Sequence, residues 1–339
     1  MKKLSALLAV LMFGTIFLTA CSSGSSTEDG GAAAGEKQEV IELNAVSFLQ
    51  KDHALTATIH EWIKKMEEAT NGQVKINWRG GPDVIPISEQ FSAVTSGAID
   101  IIFNYTGQYQ SQAPEVNALP LSQLTPWEER ENGLYDKMVQ VHDEKLNVRY
   151  IGRWLSGSPR LWLTEPIDSV DDLKGMKIRT APNYIRFFEA LGIAPVNIDP
   201  AEVYTSLQTG VAEGFVFGGL IGPRNDGWTD SAKYVLDHPF WNQNCTILMN
   251  NDKWNQISPE NQEAIIAATA EYERYMVDYY NQQDEQERKE LENIGVQFIT
   301  LPEEEAKKFL DTAYQVEWDY LAEQIPDGLE ELRKLTEKQ

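Results

Sequence analysis

Residues 71–82 read NGQVKINWRGGP, and this short stretch carries the first decision about the fold. Gln73 to Trp78 reads as a strand, and Arg79-Gly80-Gly81-Pro82 as the turn that ends it. On the N-terminal side, Asn71-Gly72 is a helix stop that closes a helix predicted from Leu55 to Thr70. A strand at Glu42 to Leu49 precedes that helix. On the other side, Ser88 to Ser96 reads as a short helix closed by Gly97, and Ile99 to Tyr105 as a buried strand. Strand, helix, strand, helix, strand implies an α/β fold with a mostly parallel sheet and helices on its faces.

A second set of elements follows. Thr125-Pro126-Trp127-Glu128 has the spacing of a capping box with proline at the first helical position, and predicts a helix from Trp127 to Lys145. Strands are predicted at Val148 to Trp154, Leu161 to Thr164, Met176 to Thr180, Pro195 to Ile198 and Phe215 to Phe217. Asp199-Pro200-Ala201-Glu202 opens a further helix that stops at Gly210. So many strands fit two sheet-containing halves better than one open sheet. Pro259 to Asn293 is capped by Ser258 and meets no further Pro or Gly before Gly295. At 1.5 Å per residue it would span about 50 Å, enough to run across both halves. Its apolar residues, Ile265, Ile266, Ala268, Tyr272, Tyr275, Met276, Tyr279 and Tyr280, do not hold a heptad, which argues against a coiled coil.

The N-terminus is of another kind. MKKLSALLAVLMFGTIFLTA, residues 1–20, places two lysines before an apolar run and ends in small residues, the pattern of a secretory signal. Leu18-Thr19-Ala20-Cys21 resembles the lipobox of bacterial lipoproteins, which implies a lipid on Cys21 and anchoring outside the cytoplasmic membrane. Residues 21–39 are small and polar without hydrophobic period, as in a flexible tether. Without Lys2 and Lys3 the chain keeps 27 basic against 52 acidic residues, a net charge of −25. Such a chain repels nucleic-acid phosphates. An anion site on it would depend on a few local, partly buried cations. Besides Cys21 only Cys245 occurs, so no intramolecular disulfide is expected.

Motifs for catalysis or cofactors are absent. His53, His60, His142 and His238 are dispersed, and there is no HExxH, no GxSxG, no Walker loop and no GxGxxG in the body of the chain. Asn225-Asp226-Gly227 with Asp230 lacks the alternating ligands of a calcium loop and reads as a solvated turn. We expect no catalytic residue, metal or cofactor, and no enzyme activity.

Residues 173–180, LKGMKIRT, supply the strongest binding candidate. By strand alternation Met176 and Ile178 share one face while Lys177 and Arg179 share the other. Arg179 lies near the carboxyl end of its strand, where open α/β sheets bind ligands. From position alone, a surface arginine paired with one of the many carboxylates is an equal alternative.

The blocks Asp171 to Thr180, Leu191 to Val196 and Glu202 to Gly214 resemble the solute-binding proteins of tripartite ATP-independent periplasmic (TRAP) transporters, the DctP-type family. Gly80-Gly81-Pro82, Ser96 to Asp100 and the long helix match as well. The resemblance implies a two-lobed periplasmic-binding-protein-like fold with hinge crossings and one long helix spanning both lobes. Lobe I would comprise residues 40–155 and 244–280, and lobe II residues 156–243 and 281–339. The resemblance also implies a small organic carboxylate as ligand, held by Arg179, and delivery to the small and large membrane subunits of a TRAP permease. Arg160 falls near a second ligand arginine of the family, with an ion pair to Glu165 or Asp168 as its structural alternative. Where many members carry Asn after the glycine matching Gly214, this chain has Phe217. That trades a polar anchor for an aromatic wall, and favours an aromatic or branched 2-oxo or 2-hydroxy acid over a sugar acid, unless Phe217 is simply core. Phe48, Arg79, Tyr105 and Trp154 are further candidates at strand ends. A binding lipoprotein of an ATP-driven importer, and a secreted hydrolase, remain rival readings.

Overall fold

The computed structural model describes residues 40–338; the signal, Cys21 and the tether lie outside the described residues. Eleven strands form among them: β1 Ile41–Ser47, β2 Val74–Gly80, β3 Ile101–Tyr105, β4 Val148–Arg153, β5 Pro159–Leu163, β6 Lys177–Thr180, β7 Ala194–Asn197, β8 Gly214–Gly218, β9 Tyr234–Leu236, β10 Cys245–Asn250 and β11 Gln297–Ile299. They make two sheets, in the orders β2-β1-β3-β10-β4 and β11-β9-β5-β8-β6-β7. The expected parallel unit is present, with β1 between β2 and β3 and both of its pairings parallel. Sequence reading missed β10, which inserts between β3 and β4 and runs antiparallel to both. Every residue of β10 is buried, so it shows no alternation for a pattern reading to find. In the second sheet β6 is parallel to β7 and β8, and β5 is antiparallel to β8 and β9.

Two predicted helices are each broken. Before the helix Ile59–Ala69, residues Ala54–Thr56 form a separate 3-10 turn, because the His53 Nδ1 accepts from the Leu55 N–H at 3.0 Å. The capping box at Thr125 and Glu128 forms with both of its bonds, but Gly133 at φ 95° divides the run into Pro126–Asn132 and Leu134–Val141. Gly133 takes the left-handed conformation that stops the first helix at little steric cost.

The long helix Pro259–Asn293 is continuous and touches elements of both sheets. Near its start the Thr269 hydroxyl accepts from the Trp62 indole at 3.1 Å. At its middle the Tyr272 and Tyr280 hydroxyls lie 2.8 and 3.2 Å from that of Thr58, and they donate to the carbonyls of Trp154 and Leu55 respectively. Near its end Asp284 pairs with Arg160 of β5 at 3.2 Å. One apolar cluster correspondingly runs through both sheets, from Leu43 and Phe103 to Trp162 and Phe215. The last helix, Leu329–Thr336, departs from the expected grouping of residues 281–339 with lobe II. It buries Leu332 in the cluster of Leu134, Met138 and Tyr150, on the side of the first sheet, because its amphipathic face finds its apolar complement there. Among the described residues no helix is long and apolar enough to cross a membrane.

His142 gives the body an acid-sensitive point. It is fully buried; its Nδ1–H donates to the Met138 carbonyl at 2.7 Å, so its Nε2 accepts from the Tyr109 hydroxyl at 3.2 Å. Burial lowers its pKa from 6.5 to about 4. The neutral ring's contribution is therefore fully present above pH ~6.5, and is lost as the pH falls toward 4, because only the unfolded chain takes up the proton in that window. The loss by pH ~4.5 is expected to be about 2–3 kcal/mol at 1.36 kcal/mol per unit. Urea denaturation at both ends of this window should show a smaller acid loss in His142→Gln than in the wild type; equal losses would disprove the assignment.

Candidate functional site

Between the two sheets lies a chamber lined from both. The first sheet and its connections supply Phe48, Leu55, Ile87 and Tyr105, and the second supplies Arg179, Val216 and Phe217. Gln243, Asn244 and Cys245, which lead into β10, and Leu155, which follows β4, complete it on the side where the chain crosses between the sheets. About 60 Å³ is free at the scale of a water molecule, room for about two waters. A wider space of about 480 Å³ adjoins it, sharing Phe48, Ile87, Asp199 and Pro200. At its wall the His53 Nε2 faces the Asp226 Oδ2 at 3.2 Å.

Arg179 is the only basic side chain lining the inner chamber among the described residues. It is 4% exposed, near the carboxyl end of β6. Its Nε donates to the Ile198 carbonyl at 2.7 Å and its Nη1 to the Val216 carbonyl at 3.1 Å. These bonds, to the segment after β7 and to β8, hold the guanidinium plane still while leaving other N–H donors of its five unused. No carboxylate of the described residues lies within 4 Å of it. Burial lowers its pKa, and the Tyr105 and Tyr184 phenols and Asp199 offset this only in part. A guanidinium desolvated and unpaired in this way is costly unless an anion arrives. An incoming carboxylate matches the fork and takes up the remaining donors.

The other predicted residues divide. Phe48, Tyr105 and Phe217 line the chamber with Arg179. Phe217 is both wall and core: it is 7% exposed, and its ring meets Trp228 edge-on at 4.9 Å. Burial raises the Tyr105 phenol to about 12, so it stays protonated. Its oxygen accepts from the Gln108 amide, which leaves its own proton free to donate. Burial also raises the Cys245 thiol, which keeps it protonated and unreactive.

Three predicted residues are elsewhere. Trp154 is fully buried behind Phe48, with rings 5.5 Å apart, and donates to the Asn104 carbonyl at 3.1 Å. Arg79 is exposed on the edge strand β2, where alternation sets it with Lys75 and Asn77 toward solvent. Arg160 does not reach the chamber, and neither Glu165 nor Asp168 is its partner. It pairs with Asp284 at 3.2 Å and faces Asp237 at 3.7 Å. Asp284 in turn accepts from the Leu220 N–H at 2.8 Å, so the pair braces the turn that follows β8.

Sequence reasoning missed Asn183, Tyr184 and Gln243. The first two follow Arg179 by four and five residues on the turn Pro182–Tyr184, so continuing along the chain from LKGMKIRT would have found them. Gln243 is placed by tertiary structure alone. Its amide lies against Gly218, where a Cβ would stand 2.1 Å from its Nε2, so the amide keeps this position only while no side chain projects from that end of β8.

A model of a family described as DctP, bacterial extracellular solute-binding protein family 7, matches residues 45–324. A solute-binding protein of Sulfitobacter sp. (strain NAS-14.1) is 28% identical over 181 residues, 51% of this chain, and this chain spans just 55% of that protein's length. The 2,3-diketo-L-gulonate-binding periplasmic protein YiaO of Escherichia coli (strain K12) is 24% identical over 288 residues, 81% of this chain and 85% of that one. Among solved structures, a TRAP periplasmic solute-binding protein from Desulfovibrio salexigens with bound orotic acid superposes with a TM-score of 0.77 at 19% identity, covering 87% of this chain and 97% of that one.

Proposed function

The chain belongs to family 7 of the bacterial extracellular solute-binding proteins, the DctP-type receptors of TRAP transporters, and on that premise we propose that it captures a small organic carboxylate in the chamber at Arg179 and delivers it to a TRAP permease. The observation that carries this reading is the buried guanidinium, held by two backbone carbonyls and short of a carboxylate. No bond is made or broken in the proposed activity, so the reading is a receptor and not an enzyme. Arg179 matches the charge, and the phenol of Tyr105 offers a further donor. Closure of two lobes around the ligand would exclude water and strengthen both contacts. The relatives support the ligand class, since diketogulonate names the Escherichia coli protein and orotate occupies the Desulfovibrio one.

Within that class we favour an aromatic or branched monocarboxylate with an oxygen at carbon 2. Phe48, Leu55, Ile87, Val216 and Phe217 give the chamber apolar walls, and those hydroxyls of a sugar acid that turned toward them would be left without partners. A carboxylate head fits the inner chamber, and an apolar tail would extend past Phe48 into the wider space. We place the mature receptor outside the cytoplasmic membrane, lipid-anchored at Cys21, with the membrane subunits of the permease as partners.

The test is a thermal-shift screen of the purified protein against branched and aromatic acids, uronic acids, neutral sugars and peptides. At a hundred times its dissociation constant, a true ligand stabilises by about 2.7 kcal/mol. Shifts confined to carboxylates support the receptor reading, and shifts from neutral sugars or peptides alone would refute it.

A further inference from the structure

We propose that Asn183 reads the substituent at carbon 2 of the ligand, and that it makes this receptor select 2-hydroxy acids over the matching 2-oxo acids. The inference rests on the carboxylate-receptor reading above and narrows it.

Asn183 is 3% exposed and lines the same chamber as Arg179. The Tyr184 hydroxyl is close enough for the amide to favour its phenolate, but neither Nδ2 nor Oδ1 completes a hydrogen bond with that or any other described group. Buried side-chain amides are seldom left so, because an unsatisfied polar group carries its full desolvation cost. The site is also built tightly around this side chain. Gly107 packs against it so closely that a Cβ there would stand 2.9 Å from Oδ1.

A carboxamide offers a donor and an acceptor side by side. Its complement is a group with an acceptor and a donor side by side, near the anion that Arg179 holds. In a 2-hydroxy carboxylate the hydroxyl lies next to one carboxylate oxygen. That oxygen accepts from Nδ2–H while the hydroxyl donates to Oδ1, and the carboxylate keeps lone pairs for the guanidinium. A 2-oxo acid presents two acceptors instead. Its carbonyl oxygen would face Oδ1 without a proton between them, leaving that atom unpaired and repelled. An acid with no substituent at carbon 2 leaves Oδ1 unpaired but not repelled. The expected order of affinity is hydroxy, then unsubstituted, then oxo. Sites built to hydrogen-bond a ligand hydroxyl discriminate strongly for this reason.

The experiment is titration calorimetry of the purified protein with hydroxyisovalerate, isovalerate and ketoisovalerate, which share one branched skeleton. The wild type should bind hydroxyisovalerate at least ~10-fold more tightly than ketoisovalerate, one unsatisfied buried group being enough for that ratio. Asn183→Leu, which keeps the branched shape and removes both polar atoms, should bring the ratio close to one while isovalerate still binds. Asn183→Ser is run beside it, and thermal melts of both variants without ligand confirm that they are folded. If ketoisovalerate binds as tightly as hydroxyisovalerate, or more so, the inference is overturned and the carboxylate receptor stands. If the ratio survives in both variants, another residue reads the hydroxyl. If a broader panel of carboxylates also fails to bind, the reading beneath the inference falls with it.

Discussion

Arg179→Met is expected to weaken the binding of small carboxylates by about 30-fold or more while leaving the stability of the unliganded protein nearly unchanged. Truncating one partner of a buried, hydrogen-bonded charge pair costs about 2–5 kcal/mol of binding energy, and each 1.4 kcal/mol is tenfold in affinity. Without ligand the accounting differs. The guanidinium is desolvated and lacks a carboxylate among the described residues, and its bonds to the Ile198 and Val216 carbonyls hold it in place. Methionine gives up those bonds but also removes an uncompensated buried charge, and similar apolar replacements are often neutral or stabilising. The melting temperature without ligand should therefore move little, while the ligand-induced rise disappears. Arg179→Lys should fall between, because an ammonium keeps the charge and loses the planar fork. A large fall in unliganded stability with carboxylate affinity intact would show Arg179 to be structural.

Glu129→Ala should do the reverse, destabilising the fold by about 3–5 kcal/mol, the usual cost of breaking a buried ion pair. Arg153 and Glu129 are both buried and meet twice, Nη2 to Oε1 at 2.7 Å and Nε to Oε2 at 3.2 Å. Arg153 also donates to the carbonyls of Leu119 and Gln243, and its backbone N–H donates to Glu273 at 2.8 Å. Removing the carboxylate strands a guanidinium inside the protein, with none of the compensation that a ligand brings to Arg179. Gln243 lines the chamber, so the same change should loosen one wall and weaken binding as well. Arg153→Met combined with Glu129→Leu should be less damaging than the two single changes summed, by about 2 kcal/mol of coupling. Chemical denaturation of the four proteins measures this. Additive losses would mean that the pair carries no interaction energy beyond its packing.

Arg179 and Arg160 show how far reading along the chain can go. The place of Arg179 at the carboxyl end of β6 was legible because strand alternation is a local property, set within ten residues of LKGMKIRT, but that place left a surface ion pair equally open until the family resemblance favoured a ligand contact. The parallel unit β1-β2-β3 and the long helix were legible for the same reason, since helix stops, caps and continuous runs without glycine or proline act through the backbone nearby. Arg160, the second candidate arginine in sequence, is spent on Asp284, 124 residues away. Arg79 fell on the solvent face of an edge strand, and nothing local says which strand is the edge. Trp154 is one layer too deep, because Phe48 stands between it and the chamber.

The strand β10 and the amides of Asn183 and Gln243 belong to that second kind. A fully buried strand has no alternation to read, and a polar side chain becomes informative only when the packed structure shows that its partners are missing. Composition and local pattern thus give the class of fold and place Arg179 near a strand end, because those follow from short-range backbone and side-chain preferences. Which cations are neutralised, which polar groups are left waiting and which aromatics reach the chamber are settled by contacts between residues distant in the chain, which form only once the two sheets and the long helix have packed together.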